Sequence, residues 1–253
     1  MHAMHRVQAT NHAEASENRI HSDEIARKLG FTGALVPGVA VYGYMTAAFA
    51  DEAFLGSGTA SVRFLKPAYH GDWLTVSQSR EGNEYTCENQ HGVTLATLRT
   101  GQPNSAAHDH SVFDALPVDP ERHPISWDRI GLNRPFDPWT WEADADGNAT
   151  YAAQVEDRRP LFEEFVHPHW ILSIANTALV RQFEMPTWIH VGSEISHLAA
   201  IRVGDAITVQ AAPLEKWRHD KGHEFVRLLL RYRRGDTTTT EIEHTAIFKV
   251  AGA

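Results

Sequence analysis

His21 is the residue around which chemistry can be built. Imidazole is the side chain whose ordinary pKa lies nearest neutrality, so it gives or takes a proton under mild conditions. It closes the phrase Ser16-Glu17-Asn18-Arg19-Ile20-His21, which also supplies a hydroxyl, a carboxylate and an amide able to orient a ring. A little further on, Pro37-Gly38 opens a long apolar run. Proline is tolerated in the first turn of a helix, where its missing N–H would be unpaired anyway. Glycine beside it lets a ligand approach the free backbone amides. Such a helix start attracts anions and polarised carbonyl oxygens. A titratable imidazole and an electrophilic helix end therefore lie close together in the chain.

The elements that must position them follow from the surrounding pattern. Met4 to Thr10 alternates weakly and reads as a first strand, with His2 and His5 as tail. Ile20-His21 falls on a short loop before a charged helix, Ser22 to Leu29, in which Asp23 and Glu24 point outward. A turn with Gly30 and Gly33 leads to a long helix from Pro37 to Leu55, stopped by Gly56 and Gly58. Apolar residues surround this helix, which predicts burial on most sides. Four strands follow, Thr59 to Leu65, Asp72 to Gln78, Glu84 to Glu88 and Val93 to Arg99, the last two joined by a hairpin at Asn89 to Gly92. One long helix followed by antiparallel strands is an α+β pattern in which the sheet wraps the helix.

From Gly101 to about Asn148 the periodicity dissolves into proline, acidic and histidine clusters. Its large aromatic residues, Phe113, Trp127, Phe136, Trp139 and Trp141, mark a connection that packs onto the protein. The first pattern then repeats. A short strand over Thr150 to Val155 leads to a second apolar helix, Trp170 to Phe183, opened by Val166-His167-Pro168-His169. Strands follow at Thr187 to Ile195, Asp205 to Gln210, Glu224 to Arg233 and Thr238 to Val250. The hexamers GDWLTV from Gly71 and GDAITV from Gly204 are separated by nearly the same offset as Pro37 and Pro168, which marks an internal duplication. The expected units are 1–102, a connection 103–147, and 148–253.

The bulk numbers exclude several function classes. At 253 residues and 42% hydrophobic content the chain suits a soluble globular protein, and no apolar run approaches a membrane span. The amino terminus lacks a signal-peptide pattern, so a cytoplasmic location is expected. A net charge of −9 argues against nucleic acid as a partner. The single cysteine, Cys87, excludes an intramolecular disulfide and reads as a small apolar strand residue. Histidine is abundant at 16 residues. The pairs His108-x-His110 and His167-x-His169 are expected as solvated loop residues, not metal ligands, because, apart from Asp109 between the first pair, no Cys, Asp or Glu pattern of recognised spacing accompanies them. His244, on an apolar alternation, is expected as a hydrogen-bonded core histidine.

After the first helix the phrase SVRFLKPAYHGDWLTV, with Phe64, Pro67, Gly71 and Asp72 at characteristic spacing, resembles the MaoC-like (R)-specific enoyl-CoA hydratases and dehydratases of the hotdog fold. With the duplication, the resemblance implies a double hotdog, two tandem hotdog folds imitating the usual homodimer. The family signature reads Asp-x-Asn-Pro-aliphatic-His. Asn18, Ile20 and His21 match it, Ser16 stands at the Asp and Arg19 at the Pro. The resemblance implies hydration of a 2-enoyl-CoA or dehydration of a 3-hydroxyacyl-CoA, with coenzyme A as part of the substrate and no other cofactor or metal. His21 would be the acid/base, Asn18 its orienting partner, and Gly38 the amide on the thioester carbonyl. Glu17, one residue off the Asp position, would substitute for it if the loop is slipped.

Val39 and Tyr42 continue the helix that would line the substrate, though core packing is the plainer reading of Tyr42 and Tyr44. Arg63, Lys66 and Arg202 are candidates for the CoA phosphates, against the alternative of solvated strand faces. The acyl-carrier-protein dehydratases place a carboxylate on the central helix, and the matching position here is Gly43. The second half has alanines, Ala149 and Ala152, where Asn18 and His21 would repeat. One site per chain is therefore expected, in the first half, with the second half as one wall of an acyl tunnel. Two other functions stay open, a hotdog thioesterase and a non-catalytic acyl-thioester binder. The chain is expected as a monomer or homodimer.

Overall fold

In the computed structural model, residues 2–102, 108–118 and 121–251 are described. The alternating runs of the first half become β1 (His2–Gln8), β2 (Thr59–Phe64), β3 (Trp73–Gln78), β4 (Glu84–Glu88) and β5 (Thr94–Gly101). Between β1 and β2 lie helices α1 (Asp23–Lys28), α2 (Gly38–Thr46) and α3 (Glu52–Ser57). The second half supplies β7 (Trp139–Glu142), β9 (Ile189–His197), β10 (Ala206–Arg218), β11 (Glu224–Arg234) and β12 (Thr237–Lys249). Its helices are α4 (Ala145–Gln154), α5 (Leu161–Glu164) and α6 (Pro168–Gln182). Two short strands, β6 (His123–Pro124) and β8 (Phe183–Glu184), pair in parallel beside them.

The long strands form one sheet of ten in the order β1-β3-β4-β5-β2-β9-β12-β11-β10-β7. Read outward from its centre, each half has the same succession, so the duplication is visible as topology. The halves join through antiparallel pairing of β2 with β9, Ala60 opposite Ile195. The matching hexamers open β3 and β10 alike. Gly71 has φ +88° and Gly204 φ +95°, a left-handed conformation that glycine adopts without strain. Two buried helices, α2 and α6, pack against each other. Gly43 allows the approach, since a Cβ there would lie 2.8 Å from Val155 Cγ1 and 2.9 Å from His169 Cβ.

Several expectations need correction. The helix expected from Pro37 to Leu55 is two, broken after Thr46. Asp51 caps α3 by accepting from Phe54 N at 2.8 Å, and Arg159 of the second half donates to Ala50 O at 2.6 Å, so local capping and a distant cation stabilise the break. Thr150 to Val155 is not a strand, because residues 145–154 form α4, N-capped by Asp144 through a bond from Gly147 N. The amino-terminal tail is strand: His2 pairs with Gln78 and His5 with Val76. In the segment 103–147, of which 103–107 and 119–120 lie outside the described residues, β7 pairs with β10 as β1 pairs with β3. Cys87 and His244 are buried in strands, and His244 Nδ1 lies 3.1 Å from Ser193 Oγ. Among the described residues no helix is long and apolar enough to cross a membrane.

Candidate active site

The loop that carries His21 is fixed from both halves of the chain. Asn18 caps a single 3-10 turn, Arg19–His21, accepting from Ile20 N at 3.4 Å. Its amide also donates to Trp188 O at 3.0 Å and accepts from Trp188 N at 3.2 Å, while Arg19 N donates to Pro186 O at 2.8 Å. Ile20, 1% exposed, anchors the turn in a small apolar cluster with Ala26 and Leu35. His21 Nδ1 then donates to Leu35 O at 2.7 Å. That bond leaves Nε2 as the acceptor of the neutral ring, 3.4 Å from Asn18 Nδ2. Burial lowers the His21 pKa from its ordinary 6.5, so the imidazole is a neutral base near pH 7.

Leu35, which holds the ring, stands three residues before Gly38, the first residue of α2. The amides of Gly38 and Val39 head this helix, where no preceding helical carbonyl can accept them. The Phe64 ring lies where a Cβ on Gly38 would be only 3.1 Å from it, so a side chain there would have to displace the ring by a few tenths of an ångström. Two cavities meet at His21 and Trp188. The larger, about 480 Å³, is lined in the first half by Ser16, Glu17, Asn18, His21, Val39 and also His12. Its second-half wall comes from Tyr151 and Gln154 of α4 and from His169, Ser173, Asn176 and Thr177 of α6. The smaller, about 280 Å³, is mostly apolar, with Gly38, Phe64, Lys66 and His223 among its lining residues.

The residues singled out in the sequence fall into three groups. Asn18, His21, Ser16, Glu17 and Val39 surround the larger cavity, while Gly38 and Lys66 line the smaller. Ser16 donates to Asn18 O at 3.3 Å. The Glu17 carboxylate is exposed and held by Arg122 Nη2 at 2.8 Å, which keeps its pKa low. Among the described residues no carboxylate hydrogen-bonds to His21. Asp23 and Glu24 are exposed, paired with Arg27 and Lys28.

Tyr42, expected to line the substrate, is instead 1% exposed in the core and borders neither cavity, and burial raises its phenol pKa. Arg63, expected near CoA phosphates, projects from the exposed face of β2 and pairs with Glu194 at 2.8 Å. Arg202 likewise pairs with Glu164 and lies over the Phe165 ring, away from both cavities.

The His-x-His pairs are not solvated loops. His167 caps α6, its Nδ1 accepting from His169 N at 3.0 Å and its Nε2 lying 3.3 Å from Asp157, which Arg159 holds at 2.6 Å. His169 follows it into the cavity wall, its Nδ1 donating to Tyr151 O at 3.0 Å, and burial brings its pKa down to about 3. His108 and His110 lie 3.7 Å from Glu243 and 2.6 Å from Glu241, and no group able to hold a metal occurs among the described residues. His169 stands after Pro168 as Gly38 stands after Pro37. One available signal for the second-half wall was the polar set 169, 173, 176 and 177 on an otherwise apolar helix, a spacing that lies on one face.

No family model matches the sequence, and no curated protein matches it. Solved structures do match in fold. A putative MaoC domain protein dehydratase from Chloroflexus aurantiacus J-10-fl superposes with a TM-score of 0.64 at 14% identity, covering 97% of this chain and 94% of its own. A Mycobacterium tuberculosis protein described as having a double hotdog fold gives 0.60 at 14% identity, covering 96% and 94%. A putative oleoyl thioesterase from Lactobacillus plantarum gives 0.55 at 10% identity, again covering 96% and 94%. The chain thus has the α+β double-hotdog fold that MaoC-like dehydratases share.

Proposed function

We propose that the chain is a cytoplasmic hydro-lyase of acyl thioesters. It adds water to the 2,3 double bond of a 2-enoyl thioester, or removes water from a 3-hydroxyacyl thioester, with coenzyme A as carrier. The observation that carries this reading is the neutral His21 imidazole, pinned by Leu35 O beside the start of α2. In dehydration, Nε2 of His21 takes the C2 proton while the amides of Gly38 and Val39 hold the enolate oxygen that develops on the thioester. The C2–C3 double bond forms as the C3–O bond breaks, and the hydroxyl leaves with the proton from Nε2 as water. Asn18 keeps the ring in plane for both transfers. Lys66, exposed beside the smaller cavity, offers a cation to an anionic carrier.

In this reading 1–102 holds the site, and 148–253 together with β7 and the first turn of α4 is its partner fold. The two already pair through β2 and β9, so a monomer or simple homodimer suffices. One observation favours a second reading, a non-catalytic acyl-thioester binder: Ser16 occupies the place of the family carboxylate, and no described carboxylate bonds to His21. Losing one acid/base group costs about 10²–10⁴-fold in rate. A single experiment separates the readings. The protein is incubated with a short 2-enoyl-CoA while enoyl-thioester absorbance and free thiol are followed together. Loss of absorbance without thiol supports the lyase, thiol release supports a thioesterase, and binding without either supports the binder.

A further inference from the structure

Four groups on the α6 wall of the larger cavity each present a hydrogen-bond acceptor. Asn176 Oδ1 is buried with no partner among the described residues. His169 has committed its Nδ1 proton to Tyr151 O, which leaves Nε2 as the acceptor of its ring. Ser173 Oγ donates to His169 O at 2.7 Å and Thr177 Oγ1 to Ile174 O at 2.7 Å, so each hydroxyl keeps only lone pairs for a ligand. Each of the four offers an acceptor, the Asn176 amide adds a donor at Nδ2, and among the described residues no Lys or Arg lines this cavity.

Resting on the thioester reading above, we propose that this cavity selects acyl groups whose tail carries an uncharged hydrogen-bond donor, a hydroxyl or an amide N–H, over plain alkyl chains. An alkyl tail would displace water from these acceptors and leave them unpaired, at a cost of about 1–3 kcal/mol for each one fully buried. A carboxylate tail would meet these four acceptors with lone pairs alone, and no described Lys or Arg lines the cavity to offset its charge. A hydroxyl or amide N–H meets the acceptors with the proton they lack. Sites built around a substrate hydroxyl reject analogues without it far more strongly than apolar pockets reject an extra methylene.

The test is calorimetric binding of unreactive CoA thioethers to the wild-type protein. Three chains of equal length are compared, ending in methyl, hydroxyl or carboxylate. The hydroxyl-ended chain is expected to bind at least about ten-fold more tightly than the methyl-ended one. Asn176→Leu is expected to abolish that preference while keeping the methyl-ended ligand bound. Thr177→Val, closer in shape, is expected to reduce the preference in a protein that folds normally. Equal binding of methyl and hydroxyl chains, or tightest binding of the carboxylate, overturns the selectivity and leaves the thioester reading standing. Failure of all three to bind overturns the thioester reading itself, and the selectivity with it.

Discussion

Asn18 and Trp188, 170 residues apart in the chain, exchange two hydrogen bonds: Asn18 Nδ2 donates to Trp188 O at 3.0 Å and Trp188 N donates to Asn18 Oδ1 at 3.2 Å. One side chain thus fastens the His21 loop of the first half to the backbone that opens β9 in the second. Asn18→Ala leaves a buried donor and acceptor unpaired, at an expected cost of about 1–3 kcal/mol in unfolding free energy. Urea unfolding measures this. An unchanged midpoint would show that the bonds do not hold the loop.

Ser16 stands where the signature that the Ser16–His21 phrase resembles has its carboxylate, and it borders the same cavity as His21. Ser16→Asp is expected to raise the rate of enoyl-thioester hydration by about ten-fold or more, as a second acid/base group joins the imidazole. A rate at or below wild type would show that this position does not address the reacting water.

Acid should destabilise the protein through its buried histidines. Desolvation lowers the pKa of His21, His167 and His190, and brings that of His197 to about 4 and those of His169 and His244 to about 3. The unfolded chain, with pKa near 6.5, then binds protons that the folded chain refuses. Stability is therefore full above that value and is lost as pH falls through it toward the folded values. Each such histidine contributes a slope of up to about 1.4 kcal/mol per pH unit. Urea midpoints measured from about pH 8 to about pH 5 should stay level and then fall below about pH 6.5. A level profile throughout contradicts the assignment of these rings as neutral.

Gly43 is the contact point of α2 with the second half. A methyl group there meets Val155 and His169 at under 3 Å, so Gly43→Ala is expected to destabilise by about 1–3 kcal/mol despite the better helix propensity of alanine. Thermal melting reads the change. A stabilised variant would show that α2 and α6 can separate at no cost.

The fold was legible because its signals are local and occur twice. Strand alternation, the Asn89–Gly92 hairpin and the paired Gly-Asp hexamers each report on a few neighbouring residues. What escaped was set by distant partners. The break in the first helix is held in part by Arg159 reaching Ala50 O, which no window around Thr46 contains. The strand read over Thr150 to Val155 is the exception, lost to a helix whose cap, Asp144, is local. Arg63 lies on the solvated strand face that was the alternative to a phosphate contact, and its partner Glu194 arrives from β9. The first-half lining of the larger cavity, Asn18 and His21, falls within one phrase of the sequence. Its second-half wall was not, because His169 and Asn176 reach the cavity only through the packing of α6 on α2.

The proposed chemistry rests on proton transfer at His21. The most direct measurement is the rate of 2-enoyl-CoA hydration by wild-type protein and by His21→Ala, with thioether binding as a check that the cavity is intact. The account predicts a fall of about 10²-fold or more with binding retained. An unchanged hydration rate in His21→Ala would contradict it.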